Sequence, residues 1–321
     1  MFRRLRRTAD QNRQSRLDAI RYLDCPGRII VDRPTIEFEA RVVNVDAYKQ
    51  QPFRPDMVVD GWATDHFCVR AASVRGDAHR FDGTPRQDDV VVAHHPKTGS
   101  LVVTIADGVS QALESHLGAS TVCRYAASKL FETLSLEQSP DWANLLKGSA
   151  WAIVELARRR GSEGADAYSA EKQYATTLTA VLIEPVSSVT SRVTGVNMGD
   201  SAVWTLRRGE LLRLGGGKAS NNEPFSASVT ALPRLPDAPS VFEGEITPED
   251  VLLVISDGIG DALGDGSGLI GTLLKGELRL PPAMSQFGRI VDFSRETFAD
   301  DRTLVGVWPL RNSRLDTHYD D

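Results

Sequence analysis

The sequence has few cysteines, and their spacing does not suggest a site. Cys25, Cys68 and Cys123 are an odd number and lie far apart along the 321 residues. None of the short Cys/His spacings typical of a zinc site or a redox dithiol is present. A chain of this length with 41% hydrophobic residues can bury a core without disulfides. These absences favour a reducing, cytoplasmic setting.

Long apolar runs are also missing. No window approaches the roughly 18 consecutive apolar residues needed to cross a bilayer. The opening M-F-R-R-L-R-R-T-A-D is positive like the start of a signal peptide, but the polar stretch Q-N-R-Q-S-R follows it. Because no apolar segment comes next, we expect neither secretion nor a transmembrane segment.

Acidic residues outnumber basic ones except at the start of the chain. The net charge is −6 and the pI is near 5.6, which gives no indication of a nucleic-acid partner. Residues 1–33, however, hold nine Arg and four Asp. We predict that residues 1–65 are a basic N-terminal extension and an irregular lead-in.

Short runs rich in β-branched residues dominate the chain from Phe67 onward and predict a folded domain over 66–310, followed by a flexible tail over 311–321. Apolar residues at three- and four-residue steps predict a helix over 114–135 and a second helix with Ser139 as its N-cap. Further predictions are a hairpin at R-R-G (207–209), a mobile loop over 215–239, and helices near 269–275 and 284–298. Strands and helices are grouped rather than alternating, which indicates an α+β fold with antiparallel sheets.

Acidic residues recur where apolar strands begin or end: Asp88, Asp107, Asp200, Asp257 and Asp300. Taken singly, each is most simply explained as turn chemistry. Taken together, they are harder to dismiss, because carboxylates gathered at a common rim repel one another unless a cation compensates them.

Oxygen ligands of this kind suit Mg²⁺ or Mn²⁺ rather than Zn²⁺. Two such ions roughly 3.5–4 Å apart can bind a phosphate ester and activate the water between them. The acidic set therefore predicts phosphoester hydrolysis without a covalent protein nucleophile.

Six motifs resemble, in the correct order, the type 2C family of metal-dependent protein serine/threonine phosphatases, in particular a bacterial branch. They span about residues 70–310 and are G-T-P-R-Q-D (83–88), V-T-I-A-D-G-V (103–109), A-T-T-L-T-A-V-L-I (175–183), M-G-D-S-A-V (198–203), V-I-S-D-G-I-G-D (254–261) and D-D-R-T-L-V (300–305). The resemblance implies a four-layer α-β-β-α sandwich with two mainly antiparallel sheets.

The resemblance also implies roles at a two-metal site. Asp107 would bridge two Mn²⁺ or Mg²⁺ ions, and the Gly108 carbonyl would be a further ligand. Asp257 and Asp300 would complete one ion, and Asp88 would hold metal-bound waters. By the same comparison, these aspartates are the expected catalytic residues.

A third, weaker metal position would use Asp200 and Asp261. The loop over 215–239 occupies the place of the family's flap, which borders the active site and varies with substrate.

The chain departs from the family where phosphate is expected to bind. Gly83 stands where many members carry an Arg, so Arg80, Arg86 and His79 become the phosphate-binding candidates. Gln87 replaces a commonly acidic residue and removes one negative charge.

These features predict an Mn- or Mg-dependent phosphatase acting on phosphoserine and phosphothreonine in proteins, as the counterpart of a Ser/Thr kinase, with no nucleic-acid partner. The alternative is a phosphatase-fold signalling module, weakly active or inactive, that binds a phosphorylated partner. The missing Arg and the presence of Gln87 motivate this alternative. Retention of the core aspartates favours the enzyme, since degenerate enzymes usually lose a metal ligand first.

Overall fold

The structure is a computed structural model that describes residues 20–21, 29–33, 54–161, 163–217 and 230–312. Most of the basic arm, the middle of the loop expected at 215–239 and the tail from residue 313 lie outside the described residues.

The described residues form short strands and mostly short helices. The strands are β1 (Ile20–Arg21), β2 (Ile30–Val31), β3 (Met57–Ala63), β4 (Phe67–Val74), β5 (Asp89–His94), β6 (Leu101–Ala106), β7 (Leu178–Pro185), β8 (Ser191–Met198), β9 (Ala202–Arg207), β10 (Glu210–Gly216), β11 (Ser240–Ile246), β12 (Asp250–Ile255) and β13 (Arg302–Pro309). The helices are α1 (Asp77–Asp82), α2 (Ser115–Ser135), α3 (Trp142–Arg159), α4 (Ala167–Tyr174), α5 (Asp257–Leu263), α6 (Leu269–Glu277) and α7 (Met284–Val291).

Two large antiparallel sheets are at the centre of the molecule. One has the order β10-β9-β12-β13-β4-β3, and the other has the order β11-β8-β7-β6-β5. Every neighbouring pair in both sheets is antiparallel. The predicted α+β class is therefore confirmed.

Apolar side chains point to both faces of the central strands. One face therefore packs against the other sheet, and the outer face packs against helices. In β12, Leu252 and Val254 pack into the cluster between the sheets, whereas Leu253 and Ile255 pack on the other side against α5, α6 and α7. In β6, Val103 faces the inter-sheet cluster. Its neighbour Val102 packs with α2 and α3 on the outer face. Because successive side chains point to opposite faces, strands buried on both faces are apolar at nearly every position. The layers are α-β-β-α, as expected.

Several local predictions are confirmed and two need correction. Arg208 and Gly209 link β9 to β10, both with positive φ (51° and 82°), as a two-residue hairpin requires. The N-cap of α3 is Asp141 rather than Ser139, because the Asp141 carboxylate accepts the amide of Asn144. The last predicted helix ends at Val291, not near 298.

The early end of α7 has a tertiary cause. Ser294 pairs through its backbone with Ile29 and Val31: its amide donates to the Ile29 carbonyl (2.8 Å), and its carbonyl accepts the Val31 amide (2.9 Å). These bonds hold the chain after α7 in an extended form, which local periodicity does not reveal.

The lead-in contains part of the fold. β3, which lies within the segment predicted to be irregular, pairs along its whole length with β4 as the edge of the six-stranded sheet. The sheet therefore begins before the expected boundary at residue 65. None of the described helices combines the length and apolar character needed to cross a membrane.

Candidate metal centre

The register of the two sheets brings the acidic residues to one rim. In the six-stranded sheet, the last residue of β12, Ile255, pairs with Ala202 at the start of β9 and with Leu304 near the start of β13. Asp257, Asp200 and Asp300 lie just outside these three positions. Antiparallel pairing puts the end of one strand beside the start of the next, which is why residues distant in sequence meet here.

The five-stranded sheet contributes in the same way. Asp89 at the start of β5 pairs with Ala106 at the end of β6, so the adjacent Asp88 and Asp107 lie at the same edge. The backbone of Asp107 is fixed against β7: its amide donates to Thr177 Oγ1 (2.9 Å), and its carbonyl accepts the Thr177 amide (2.8 Å).

Three predicted ligands form a compact group. Asp107, Asp200 and Asp257 each offer one carboxylate oxygen, and these oxygens lie within 4.8 Å of one another. Asp261, one helical turn beyond Asp257 in α5, is exposed, and its charge adds to the field at Asp257. The structure thus brings together four of the predicted acids.

Asp300 lies next to this group but in a second cluster. Its carboxylate approaches ligand atoms of His79 and Asp301, all within 4.8 Å of one another. Its charge nevertheless acts on both Asp107 and Asp257. The expected grouping of Asp300 with Asp257 on one ion remains a prediction.

Electrostatics indicate that the clustered carboxylates lack compensation. Burial, followed by the charges of Asp88 and Asp257, raises the pKa of Asp107 well above its usual value. Burial raises the pKa of Asp257 to about 7, with a further contribution from Asp200. Burial and the charge of Asp301 likewise raise the pKa of Asp88 to about 7. At each of these carboxylates, burial and neighbouring negative charge together outweigh the groups that favour ionisation.

Two carboxylate oxygens of the site have no hydrogen-bond partner among the residues that the structure describes. Asp88 is fully buried, and its Oδ2 accepts the Thr303 hydroxyl (2.6 Å), whereas its Oδ1 is unpartnered. Asp257 Oδ1 is also buried without a hydrogen bond. Buried polar atoms are nearly always satisfied in folded proteins, so exceptions need an explanation. Hard divalent cations, which prefer oxygen ligands, fit this set.

The three phosphate-binding candidates are placed differently. Arg80 contacts the carboxylates of Asp292 (3.1 Å), Asp56 (3.4 Å) and Asp77 (3.5 Å). Arg86 is buried and donates to the Ser73 carbonyl (3.0 Å).

His79 differs from both arginines, since it lies in the cluster with Asp300 and Asp301. Its ligand atoms lie within 4.8 Å of the carboxylate of Asp300, an acid of the predicted site.

Sequence reasoning missed two partners of Asp88. Asp301 accepts the amides of Gly76 (2.6 Å) and Gln87 (2.5 Å) with its two carboxylate oxygens. Arg54 donates to the Asp88 carbonyl (2.6 Å). The adjacent acids 300 and 301 were a visible signal for Asp301. No local pattern marks Arg54.

Comparisons with known proteins agree with this geometry. The family described as Protein phosphatase 2C matches residues 75–289, about two thirds of the chain. No curated protein matches the sequence.

Solved structures share the fold. The serine/threonine phosphatase PstP/Ppp of Mycobacterium tuberculosis is 20% identical with a TM-score of 0.52, covering 77% of this chain and 99% of that one. The catalytic domain of PstP in complex with two manganese ions is 18% identical with a TM-score of 0.51, covering 76% and 99%. PppA of Pseudomonas aeruginosa is 18% identical with a TM-score of 0.50, covering 78% and 100%. The six ordered motifs, the two-sheet fold and the extent of the family match together show that the chain belongs to the protein phosphatase 2C family.

Proposed function

We propose that this protein hydrolyses phosphoserine and phosphothreonine in proteins, using divalent cations held by the acidic rim. The observation that carries the proposal is the approach of Asp107, Asp200 and Asp257 within 4.8 Å, with Asp257 Oδ1 left without a partner. Without a cation, this arrangement of half-buried like charges is unfavourable.

The ligand roles follow the family pattern. Asp107, Asp257 and Asp300 would hold the two ions, with the Gly108 carbonyl as a further ligand. A Cβ at Gly108 would come within 2.7 Å of Ser115 Oγ, so the glycine is what permits the close packing of this turn. Mn²⁺ and Mg²⁺ both suit these oxygen ligands.

A further position would use Asp200 and Asp261. Asp200 is close enough to contribute to either position, since its oxygen already approaches those of Asp107 and Asp257. Divalent cations bound at this rim would polarise the phosphoryl oxygens and lower the pKa of a nearby water.

Hydrogen bonds within the protein orient the Asp88 carboxylate at this rim. Thr303 donates its hydroxyl to Asp88 Oδ2, which directs Oδ1 away from that bond. Ser256 in turn accepts the Thr303 amide (2.9 Å), so the two strand ends share one network. We propose that Asp88 accepts hydrogen bonds from water at the metal centre through Oδ1.

Phosphate binding is assigned here to His79 in preference to Arg80 or Arg86. Arg80 already pairs with three carboxylates and Arg86 donates to the Ser73 carbonyl, whereas His79 lies in the cluster that contains Asp300. The positive charge that His79 can carry beside Asp300 would offset the negative charge of a phosphoryl group.

A phosphorylated protein is the proposed substrate, and a Ser/Thr kinase is the proposed counterpart. This assignment rests on family membership and on fold neighbours described as serine/threonine phosphatases.

One assay tests the proposal against the inactive-module alternative. Phosphate release from p-nitrophenyl phosphate and from a phosphothreonine peptide is measured with Mn²⁺, with Mg²⁺ and with chelator, for the wild type and for Asp107→Asn. Asp265→Asn is the matched control, because Asp265 is exposed and bonds only within its own turn. We expect turnover by the wild type and the control that chelator abolishes, and a loss of at least 100-fold in Asp107→Asn. Turnover that chelator leaves unchanged would falsify the metal mechanism. Phosphopeptide binding without turnover would favour the signalling module.

A further inference from the structure

Arg54, which precedes β3, reaches the peptide segment that carries Asp88. Its Nε donates to the carbonyl of Arg86 (2.5 Å), and its Nη2 donates to the carbonyl of Asp88 (2.6 Å). The Arg54 side chain is only 14% exposed. Charge-assisted hydrogen bonds of this kind are stronger than neutral ones, and they gain further in a partly buried setting.

The opposite side of the same segment is held by an anion. Asp301 Oδ2 accepts the amide of Gln87 (2.5 Å) and, over a longer distance, the amide of Asp88 (3.4 Å). The Arg54 guanidinium therefore donates to the carbonyls of segment 86–88, and the Asp301 carboxylate accepts from its amides. This double contact fixes the backbone from which the Asp88 side chain projects.

Arg54 also belongs to a basic group around Asp89. It approaches Asp89 Oδ2 at 3.5 Å, and Arg124 approaches the same oxygen at 3.3 Å. Arg124 differs in two ways: its side chain is 64% exposed, and it donates hydrogen bonds to Asp89 and Ser120 rather than to the 86–88 backbone. Loss of Arg54 would leave Asp89 with a cation but would leave the carbonyls of Arg86 and Asp88 without their donor.

We propose that Arg54 is a positioning residue for Asp88, and through Asp88 for the metal centre, although it lies outside the family match at 75–289. The inference rests on the proposed function in one respect, namely that Asp88 faces divalent cations. It goes further by assigning a role to the segment before β3.

The chemistry requires arginine in particular. A planar guanidinium presents several N–H donors in fixed directions, so one side chain can serve two carbonyls from one position. A lysine ammonium is a point charge on a flexible stem and would serve one carbonyl well. Residues that orient metal ligands typically change metal affinity by 10- to 100-fold when they are replaced.

Calorimetric titration with Mn²⁺ tests this role without relying on turnover. The full-length wild type, Arg54→Ala, Arg54→Lys and Arg124→Ala are compared, each shown to be folded by circular dichroism at the titration temperature. We expect the Kd for Mn²⁺ to rise about 10-fold or more in Arg54→Ala and by less in Arg54→Lys. Arg124→Ala should stay within about 2-fold of the wild type.

The outcomes separate this inference from the proposed function. If Arg54→Ala does not fold, Arg54→Lys decides, and wild-type affinity in the folded Arg54 variants overturns the inference. Equal weakening by Arg124→Ala also overturns it, because the effect would then be general electrostatics. A wild type that binds Mn²⁺ but releases no phosphate contradicts the proposed function. The Mn²⁺ titration of the Arg54 variants still tests the role of Arg54 in that case. A wild type that binds no Mn²⁺ overturns both.

Discussion

His79 and Asp301 form a buried pair in which His79 Nδ1 lies 2.9 Å from Asp301 Oδ1. Asp301 already accepts backbone amides, and the pair it forms with His79 helps to keep its pKa below the usual value despite burial. The carboxylate is thus ionised, and His79 donates from Nδ1. Burial opposes a charge on His79, but the bond to Asp301 and its charge raise the pKa of the imidazole overall.

Two replacements of His79 should distinguish how much its hydrogen bond and how much its imidazole ring contribute to stability. His79→Ala leaves the buried Asp301 carboxylate short of one donor and should lower the free energy of unfolding by about 2–3 kcal/mol. His79→Asn can donate from Nδ2 near the former Nδ1 position and should recover about half of that loss. Urea unfolding in chelator measures both. Equal stability of the two variants would show that the hydrogen bond contributes little.

The stability of the metal-free protein should fall as pH rises from about 5 to 8. The pKa values of Asp88 and Asp257 rise from 3.8 to about 7 on folding, so between these values the folded state binds more protons than the unfolded state. The stabilisation that comes from protonating these carboxylates is fully present below their pKa in the unfolded state. It is lost as the pH rises through their pKa in the folded state. The raised pKa of His79 acts in the same direction.

Thermal melts in chelator across this range give the measurement. Added Mn²⁺ should stabilise most at the high-pH end, since metals bind deprotonated carboxylates. A melting temperature in chelator that stays flat or rises with pH would contradict the arrangement of like charges.

Asp107→Asn should stabilise the metal-free protein while removing activity. The change deletes one of several mutually repelling carboxylates, and an amide can still donate to Asp257. We expect a gain of about 0.5–2 kcal/mol in chelator, the range typical of a substitution that relieves an unfavourable charge arrangement. Differential scanning calorimetry measures the gain. The exposed Asp265→Asn should leave stability within about 0.5 kcal/mol, and an Asp107→Asn protein less stable than the wild type would count against the prediction.

Two glycines of α5 offer a matched test of how the strand ends pack. A Cβ at Gly258 would collide with the carbonyl oxygen of Asp301, whereas a Cβ at Gly260 would meet only Ile255 Cδ1 at 3.7 Å. Gly258→Ala should therefore displace residues 300–301, lower stability by about 2 kcal/mol or more and reduce turnover. Gly260→Ala should be neutral or stabilising by up to about 1 kcal/mol. Unfolding and turnover of the two variants are measured side by side, and equal behaviour would refute the steric argument.

The sequence predicted the sheets well because their strands are buried on both faces. β6 and β12 are buried at every position and apolar except for Thr104 and Asp250, and the acids that follow them lie where the strands end. Convergence of the acids was predictable in kind, because antiparallel strands share their rims. The strand pattern did not predict that Asp300 would approach His79 and Asp301.

What escaped prediction depends on contacts between distant residues or on short elements. α1 has six residues, too few for a periodic pattern, and β3 contains Asp60 and Gly61, which are uncommon in strands. Arg54 contacts residues more than 30 positions away, so nothing in its neighbourhood indicates its partners.

The central claim is that the clustered acids bind divalent cations. The most direct measurement is an anomalous difference map, collected at the manganese edge, from crystals grown with Mn²⁺. We predict peaks contacted by Asp107 and Asp257, which weaken or vanish in Asp107→Asn. Saturating Mn²⁺ without a peak at these carboxylates, or with peaks only elsewhere on the surface, would contradict the account.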